Sequence, residues 1–339
     1  MTVAPRPAAA VAYPNIALIK YWGKRDDVMV LPVTGSLSMT LDSYPTTTTV
    51  RPVTGSRHDT VVANGNETDG EFRRRVTRFL DIVRELANST ERAAVETVNT
   101  VPTAAGLASS AAGFAALATA ATAAYGISLD RRDLSRLARR GSGSACRSIF
   151  GSFVLWRAGT GTGPDGDRSS YAEPVDTGAL DPAMVLAIVD PGRKAVSTGD
   201  AMRSTMATSP LYRCWAEAGS ADLVEMTAAI AKGDLARVGE IAEANALGMH
   251  ATMLAARPAI RYLTPRSLSV LDRVVELRRH GIAAYATIDA GPNVKVLCAR
   301  TEAPRVETAI RELDRVTTRT TLPGTGSHLV DLPDSRQEE

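Results

Sequence analysis

The segment from Asn99 to Ala116, NTVPTAAGLASSAAGFAA, has the residue types of a site that binds an anion through its main chain. It carries no charged side chain, and its pattern predicts a strand, a turn of small residues and a helix from Ser109. Small side chains let the backbone approach a phosphate, and the first N–H groups of a helix are unpaired and point toward the ligand. The hydroxyls of Ser109 and Ser110 can cap the helix or bind phosphate and Mg²⁺. The alternative is an alanine-rich core helix after a glycine turn.

Two lysines lie close together in NIALIKYWGK, which also contains Asn15 and Tyr21. The chain has 39 basic residues, nearly all of them arginine, so a lysine suggests a need for a compact ammonium. Alternate residues of a strand share a face. We therefore expect Lys20 and Lys24 to point the same way, toward an anion. The alternative is a strand end with solvated lysines placed by chance.

A second cluster of small and hydroxyl-bearing residues is GSGSACRS. Ser142, Gly143 and Ser144 offer hydroxyls and free N–H groups to an anion. Arg147 could form a fork with a carboxylate or a phosphate. We expect Cys146 to be a small packed residue and not a nucleophile, because no histidine lies nearby in the sequence. The alternative for this segment is a loop with an ordinary surface arginine.

Asp289 stands at the end of an apolar run and directly before a turn sequence. The runs AAYATIDAG and NVKVLCA predict a hairpin of strands. A carboxylate at the edge of such a loop is placed where catalytic groups often lie. The alternative is an aspartate that caps or turns the chain ahead of Gly291.

The elements that must position these residues mix strands and helices without strict alternation. β-Branched and apolar runs predict further strands at Val11–Tyr21, Gly35–Leu41, Thr46–Arg51, Ala93–Val98, Phe153–Trp156 and Met184–Val189. Helical spacing predicts helices at Glu71–Leu86, Ser109–Tyr125, Asp130–Arg139, Ser220–Ala231, Asp234–Met253, Leu268–His280 and Arg305–Asp314. The mixture favours an α+β fold over a doubly wound sheet, with a boundary near Leu180.

One further motif is a match to GxGxxG at Gly161, Gly163 and Gly166. A dinucleotide-binding loop must open a helix, whereas Pro164 and Asp165 are expected to continue a surface loop. We therefore assign it no function.

Composition excludes several classes of protein. A net charge of +2 gives no reason to expect nucleic acid or a membrane surface as a partner. The three cysteines are far apart and the four histidines show no HExxH spacing, which argues against a disulfide framework and a His/Cys metal site. The first residues lack the pattern of a secretory signal, and the alanine-rich run at 111–124 is too short to span a membrane. We expect a cytoplasmic protein.

The motifs together resemble a known family. PTAAGLASSAAG resembles the phosphate loop of the GHMP kinase superfamily. NIALIKYWGKRD, GSGSACRSIFG, TSPLYRCW, EANALGMHATML and YATIDAGPNVKVLC are similar, in the same order, to segments of the diphosphomevalonate decarboxylases. The resemblance implies a two-domain GHMP kinase-like α+β fold with an active-site cleft between the domains. It implies an ATP- and phosphate-loop domain at 1–180 and a second α+β domain at 181–332. The polar residues that end the chain separately predict a disordered tail at 333–339.

The resemblance also implies roles for individual residues. Asp289 would be the catalytic acid–base group, Lys20 would balance negative charge, and Arg147 would hold the substrate carboxylate. The implied substrate-binding residues are Asn15, Tyr21, Trp22, Gly23, Lys24, Arg75, Ser142, Gly143, Ser144, Arg147 and Thr198. The implied ATP-phosphate-binding residues are Ala104, Ala105, Gly106, Leu107, Ala108, Ser109 and Ser110, with Ser110 also a candidate Mg²⁺ ligand. Ser152 stands where the family usually has glycine, which we interpret as a packing change.

The implied reaction is the ATP-dependent decarboxylation of mevalonate 5-diphosphate, with ATP and Mg²⁺ bound and a homodimer expected. A mevalonate 3-kinase or a phosphomevalonate decarboxylase of the same superfamily is the first alternative. A non-catalytic binding module is the second.

Overall fold

The computed structural model describes residues 5–100, 109–190 and 196–332. Its strands are β1 (Ala8–Ala12), β2 (Asn15–Ile19), β3 (Lys24–Asp26), β4 (Leu31–Pro32), β5 (Ser36–Thr40), β6 (Thr46–Val53), β7 (Thr60–Ala63), β8 (Asn66–Glu67), β9 (Arg92–Asn99), β10 (Phe153–Trp156), β11 (Ala172–Pro174), β12 (Pro182–Ile188), β13 (Ala284–Ile288), β14 (Val294–Ala299), β15 (Thr317–Thr321) and β16 (His328–Val330). Its helices are α1 (Gly70–Ala87), α2 (Ser109–Ala124), α3 (Arg131–Gly141), α4 (Ala145–Ser148), α5 (Gly163–Ser169), α6 (Thr198–Thr208), α7 (Tyr212–Ala231), α8 (Leu235–Leu254), α9 (Pro265–Arg279) and α10 (Ala303–Arg311). Among these helices none is both long and apolar enough to cross a bilayer.

A six-stranded sheet in the order β16-β1-β6-β9-β7-β8 supports the start of α2. Neighbouring strands run antiparallel except for β7 and β9, which are parallel. Helix α2 lies against β1 and β6 and is buried over most of its surface, because alanine side chains let the helix approach the sheet closely. Phe114 of α2 meets Phe79 of α1 edge to face, with 5.7 Å between ring centroids. The sheet therefore positions α2, whose first residues are Ser109 and Ser110.

Two four-stranded sheets face each other across a shared core. Their orders are β11-β10-β5-β2 and β13-β14-β12-β15. Ile16, Met39 and Phe153 of the first sheet share one buried apolar cluster with Leu186 and Leu297 of the second. Helix α8 contacts both β2 and β13. This core holds the end of β2 and the end of β13 in one region, although they are far apart in the sequence.

The predicted strand at Val11–Tyr21 is wrong as one element. The structure has β1 and β2 there, and they belong to two different sheets. Pro14 stands between them, and proline has no N–H to continue a ladder. The other predicted strands and most predicted helices are confirmed with shifts of a few residues at their ends.

Three local predictions were wrong. The segment predicted to be a loop after Gly161 forms helix α5 from Gly163, with Pro164 in its first turn. Its glycines bind protein groups: the Gly163 N–H donates to Asp26 and the Gly161 carbonyl accepts from Arg25. Helix α6 was not predicted, and α7 begins eight residues before the predicted start at Ser220.

Ser152 has an unusual backbone conformation. Its φ is 57°, in the left-handed region that favours glycine. Serine in place of glycine there therefore carries a cost in backbone conformation, whatever its effect on packing.

Candidate active site

Asp289 is held by two buried lysines. It follows β13, whereas Lys20 follows β2 and Lys295 lies in β14. Asp289 Oδ1 lies 2.7 Å from Lys20 Nζ, and Asp289 Oδ2 lies 3.3 Å from Lys295 Nζ. The lysine side chains are 2% and 3% exposed, but that of Asp289 is 24% exposed. The two lysines thus hold the carboxylate on its buried side, and part of it remains exposed.

The charges of this cluster are strongly coupled. Burial alone would raise the pKa of Asp289, but Lys20 and Lys295 outweigh it and hold that pKa well below its usual range. Burial lowers the pKa of Lys20 to about 8, and Asp289 offsets only part of that shift. The Asp289 carboxylate therefore stays ionised at neutral pH.

Main-chain and amide groups lock Lys20 in place. Its ammonium donates to the Ala17 carbonyl at 2.8 Å, and its backbone N–H donates to Asn245 Oδ1 at 2.9 Å. Asn245 in turn donates to Asp222 at 2.9 Å, so the amide cannot rotate freely. Thr287 of β13 donates to the same Ala17 carbonyl at 3.1 Å, which ties β13 to β2.

Arg147 of α4 is a buried cation that faces the same region. It is 2% exposed, and its Nε lies 2.9 Å from Ser38 Oγ and 3.2 Å from Asn15 Oδ1. Its Nη1 donates to Ser36 Oγ at 2.5 Å. Within the described ranges no carboxylate lies at ion-pair distance from it. A buried guanidinium held only by neutral groups is costly unless an anion binds beside it.

The Tyr21 ring packs directly against Gly143. A Cβ atom on Gly143 would lie 2.7 Å from Tyr21 Cε1, so this contact requires glycine. The Ser142 and Ser110 hydroxyls are 3.3 Å apart, which joins the GSGSACRS segment to α2. The structure thus brings the sequence-predicted residues of both segments together.

Asn15 and Arg75 lie next to this group. Asn15 is buried and donates to Ser148 Oγ at 2.8 Å, so it positions α4 as well as Arg147. Arg75 donates to the Gly141 carbonyl at 3.2 Å and lies over the Phe114 ring at 5.1 Å. Arg75 is therefore close to the start of the GSGSACRS segment.

The remaining residues of IKYWGK do not share one face. Lys20 points to Asp289, but Lys24 begins β3 and its Nζ lies 3.1 Å from Asp27 Oδ1. The prediction that both lysines point the same way was wrong, because β2 ends at Ile19. Trp22 is buried in an apolar cluster with Met202 and Ala290, the residue after Asp289.

Gly23 and Thr198 have local backbone roles. Gly23 has a φ of 143°, and a Cβ atom there would lie 1.9 Å from the Tyr212 hydroxyl oxygen, so only glycine fits. Thr198 is the first residue of α6 and is exposed, and Ser197 caps this helix by accepting from the Asp200 N–H. The predicted ATP contacts from Ala104 to Ala108 lie outside the described residues, whereas Ser109 and Ser110 are exposed at the start of α2.

Comparisons with known proteins now decide the family. Residues 12–172 match the family model of the "Diphosphomevalonate decarboxylase-like N-terminal domain", and residues 184–332 match the "Mevalonate 5-diphosphate decarboxylase C-terminal domain". The human diphosphomevalonate decarboxylase is 38% identical over 314 residues, which cover 86% of this chain and 77% of the human protein. This chain belongs to the diphosphomevalonate decarboxylase family.

Solved structures of the family have the same fold. The structure described as "MDDEF in complex with MVAPP, AMPPCP and Magnesium" has 42% identity and a TM-score of 0.90, covering 97% of this chain and 100% of that chain. The mevalonate diphosphate decarboxylase of Staphylococcus aureus has 38% identity and a TM-score of 0.91, covering 96% of this chain and 98% of that chain. The α+β, GHMP kinase-like fold expected from the sequence is confirmed.

Sequence reasoning assigned no role to three residues that lie around Lys20 and Asp289. Lys295 could have been found, because a lysine inside the apolar run VKVLCA is unusual. Asn245 and His250 belong to EANALGMHATML, one of the segments that resemble the family, but neither was given a role, and both lie in the middle of α8. His250 is buried, and burial together with the charge of Lys20 lowers its pKa to about 4, so the imidazole is neutral at pH 7.

Cys146 is packed as expected. It is buried, its Sγ lies 3.0 Å from the Gly143 carbonyl, and burial raises the pKa of the thiol to about 12. Such a thiol forms almost no thiolate at neutral pH.

Proposed function

We propose that this chain catalyses the ATP-dependent decarboxylation of mevalonate 5-diphosphate to isopentenyl diphosphate, releasing ADP, phosphate and carbon dioxide. The observation that carries this proposal is the Asp289 carboxylate between Lys20 and Lys295, with Arg147 close enough to act on its charge. The family relation and the related structure that contains MVAPP, AMPPCP and magnesium support the choice of ligands.

Asp289 would orient the tertiary hydroxyl of the substrate. A hydroxyl is a poor leaving group, so it must be phosphorylated before the carbon–oxygen bond can break. Because its pKa is well below the usual range, Asp289 is a weak base and would take the hydroxyl proton only as the oxygen–phosphorus bond forms. Lys20 and Lys295 keep the carboxylate in the position that this transfer requires.

The decarboxylation step needs positive charge but no electron sink. When the carbon–oxygen bond breaks, phosphate leaves and the tertiary carbon becomes electron-poor. The bond to the carboxylate carbon then breaks, and its electron pair forms the new double bond while carbon dioxide departs. Arg147 would hold the carboxylate in line, since its guanidinium has only neutral partners in the described part of the chain.

ATP phosphates fit the start of α2. The first turn has no acidic residue, Ser109 and Ser110 are exposed, and the first amides of a helix are unpaired. The Ser110 hydroxyl, a hard oxygen ligand, is the group that would hold Mg²⁺. The ion, when bound, neutralises charge on the ATP phosphates.

The direct test is carbon dioxide release with ATP, compared between mevalonate 5-diphosphate and mevalonate 5-phosphate. We expect release of carbon dioxide that depends on ATP and is faster with the diphosphate. Formation of ADP without carbon dioxide would identify a kinase that stops after phosphoryl transfer. Faster release from the monophosphate would identify a phosphomevalonate decarboxylase.

We also infer a cytoplasmic homodimer with a domain boundary near residue 180. The homodimer rests on the resemblance, and the ends of the two matched family models at residues 172 and 184 support the boundary. Sedimentation at several protein concentrations tests the dimer, and a monomer at all concentrations would refute it.

A further inference from the structure

A cavity of about 320 Å³ lies between the IKYWGK segment and α6. Lys24 and Asp27 line one wall, and Met202, Arg203 and Met206 of α6 line the other. The two walls touch where the Lys24 backbone N–H meets Met206 Sδ at 3.3 Å. A water molecule takes up about 30 Å³, so the cavity has room for a phosphate group that keeps part of its hydration.

The cavity is close to the reacting groups. Met202, which lines it, shares an apolar cluster with Trp22 and with Ala290, the neighbour of Asp289. Tyr21 and Lys24, two of the implied substrate-binding residues, lie on either side of Trp22 in the sequence. The cavity therefore borders the apolar cluster that contains the residue next to Asp289.

Two cations line this cavity, and both have replaceable partners. Lys24 pairs with Asp27, and Arg203 pairs with Asp200, in each case three residues apart. The Asp27 and Asp200 side chains are largely exposed. Exposed pairs of this kind contribute about 0–1 kcal/mol, so a phosphate can displace the carboxylates at little cost. An arginine can bind a phosphate through two parallel N–H groups, and this bidentate arrangement is stronger than a single hydrogen bond.

We propose that Arg203 binds the terminal phosphate of the substrate and so selects the diphosphate over the monophosphate. This rests on the proposed function. The diphosphate is joined to the reacting carbon by two methylene groups, so its terminal phosphate must lie away from Asp289 and needs a cation of its own. Arg203 supplies that cation from α6, whereas Tyr21 and the serines of GSGSACRS face the phosphate nearer the carbon.

The test is calorimetric binding of mevalonate 5-diphosphate and mevalonate 5-phosphate, without ATP, to the wild type and to Arg203→Met. Methionine keeps most of the apolar stem and removes the charge. We expect the Kd for the diphosphate to rise about tenfold or more, which is the worth of one charge-assisted hydrogen bond, and the Kd for the monophosphate to stay within about twofold. Arg203→Lys should recover part of the loss, because it restores the charge without the fork.

Arg213→Met is the matched control, since Arg213 is an exposed arginine of α7 that pairs with Glu217. It should change neither Kd. An unchanged diphosphate Kd in Arg203→Met, or an equal rise for both ligands, would overturn the role of Arg203. Carbon dioxide release by the wild type is measured in parallel. If the wild type releases no carbon dioxide, the proposed function is refuted. The change in Kd from the wild type to Arg203→Met, compared between the two ligands, still decides the role of Arg203.

Discussion

Asp59 and Asp289 are both carboxylates that buried cations hold, but their surroundings differ. The Asp59 side chain is 0% exposed and accepts from both terminal nitrogens of Arg84, at 3.0 and 3.1 Å, and from the Ala93 N–H at 2.9 Å. Asp289 keeps 24% of its side chain exposed and has no backbone donor of this kind in the described part of the chain. Asp59 is satisfied by the protein, whereas Asp289 has capacity left for a ligand.

The net charge also differs between the Asp59 cluster and the Asp289 cluster. Around Asp59, two acidic side chains, with Asp81 as the second, face the two cations Arg84 and Arg92. Around Asp289, Lys20 and Lys295 are bonded to one carboxylate, and Arg147 adds a third positive charge. A balanced and closed cluster stabilises the fold, while an open cluster with surplus positive charge suits an anionic substrate.

Removing the charge of Arg147 should have the larger effect on activity. We expect Arg147→Met to lower kcat/KM about 10³-fold, because the substrate carboxylate loses its partner and its alignment. The free energy of unfolding should change by only about 1–2 kcal/mol, since the variant also removes a buried charge. Steady-state kinetics and urea unfolding measure the two quantities. Normal activity would show that Arg147 serves the fold alone.

The matching change at the closed cluster is Asp59→Asn. It leaves Arg84 buried beside a neutral amide, which should destabilise the protein by about 3–5 kcal/mol. The kcat measured well below the melting temperature should stay near that of the wild type. Loss of turnover without loss of stability would break the comparison between the two clusters.

The pH dependence of activity should also distinguish the Asp289 cluster from the Asp59 cluster. The pKa of Lys20 is lowered to about 8, so above that pH Lys20 loses its proton and Asp289 loses a partner. We expect kcat/KM to fall about tenfold per pH unit above pH 8. The unfolded chain holds the Lys20 proton up to its usual pKa near 10.5, so between these values the contribution of Lys20 to stability rises with pH. The loss of activity is then not unfolding caused by this group.

Arg84, the buried cation beside Asp59, should keep its proton over that range. Burial works against the charge of Arg84, but hydrogen bonds to Asp81 and Asp59 raise its pKa further above the usual value. A pH profile of kcat/KM tests the assignment of Lys20, and melting temperatures recorded at each pH test whether the fold is affected. A flat profile up to pH 9.5 would contradict the assignment of Lys20.

Ser152→Gly changes a residue that has no role in the proposed chemistry. Relief of the left-handed conformation gains about 1–2 kcal/mol, and the entropy of an added glycine removes about 0.5–1 kcal/mol. We expect a net stabilisation of about 1 kcal/mol or less with unchanged turnover. Urea unfolding measures it, and a clear loss of stability would show that the serine side chain makes an important contact.

Local patterns predicted the parts of the site but not their assembly. The strand end before Asp289 and the small residues before Arg147 are visible in the sequence, because each depends on neighbouring residues. The bond between Lys20 and Asp289 joins residues 269 positions apart, and it depends on α8 holding β2 beside β13. The spacing of apolar residues along the sequence does not reveal a contact between residues so far apart. The pair of Lys24 with Asp27 is local, but it depends on β2 ending at Ile19 and β3 beginning at Lys24, and the residue pattern predicted one unbroken strand up to Tyr21.

The most direct test of the account is Asp289→Asn, with single-turnover carbon dioxide release and binding of mevalonate 5-diphosphate measured on the same preparation. The amide keeps the shape of the side chain but removes the charge that takes the hydroxyl proton. We predict normal binding within a few-fold and a loss of turnover of about three orders of magnitude or more. Turnover close to that of the wild type, in a variant that binds substrate normally, would contradict the central role of Asp289.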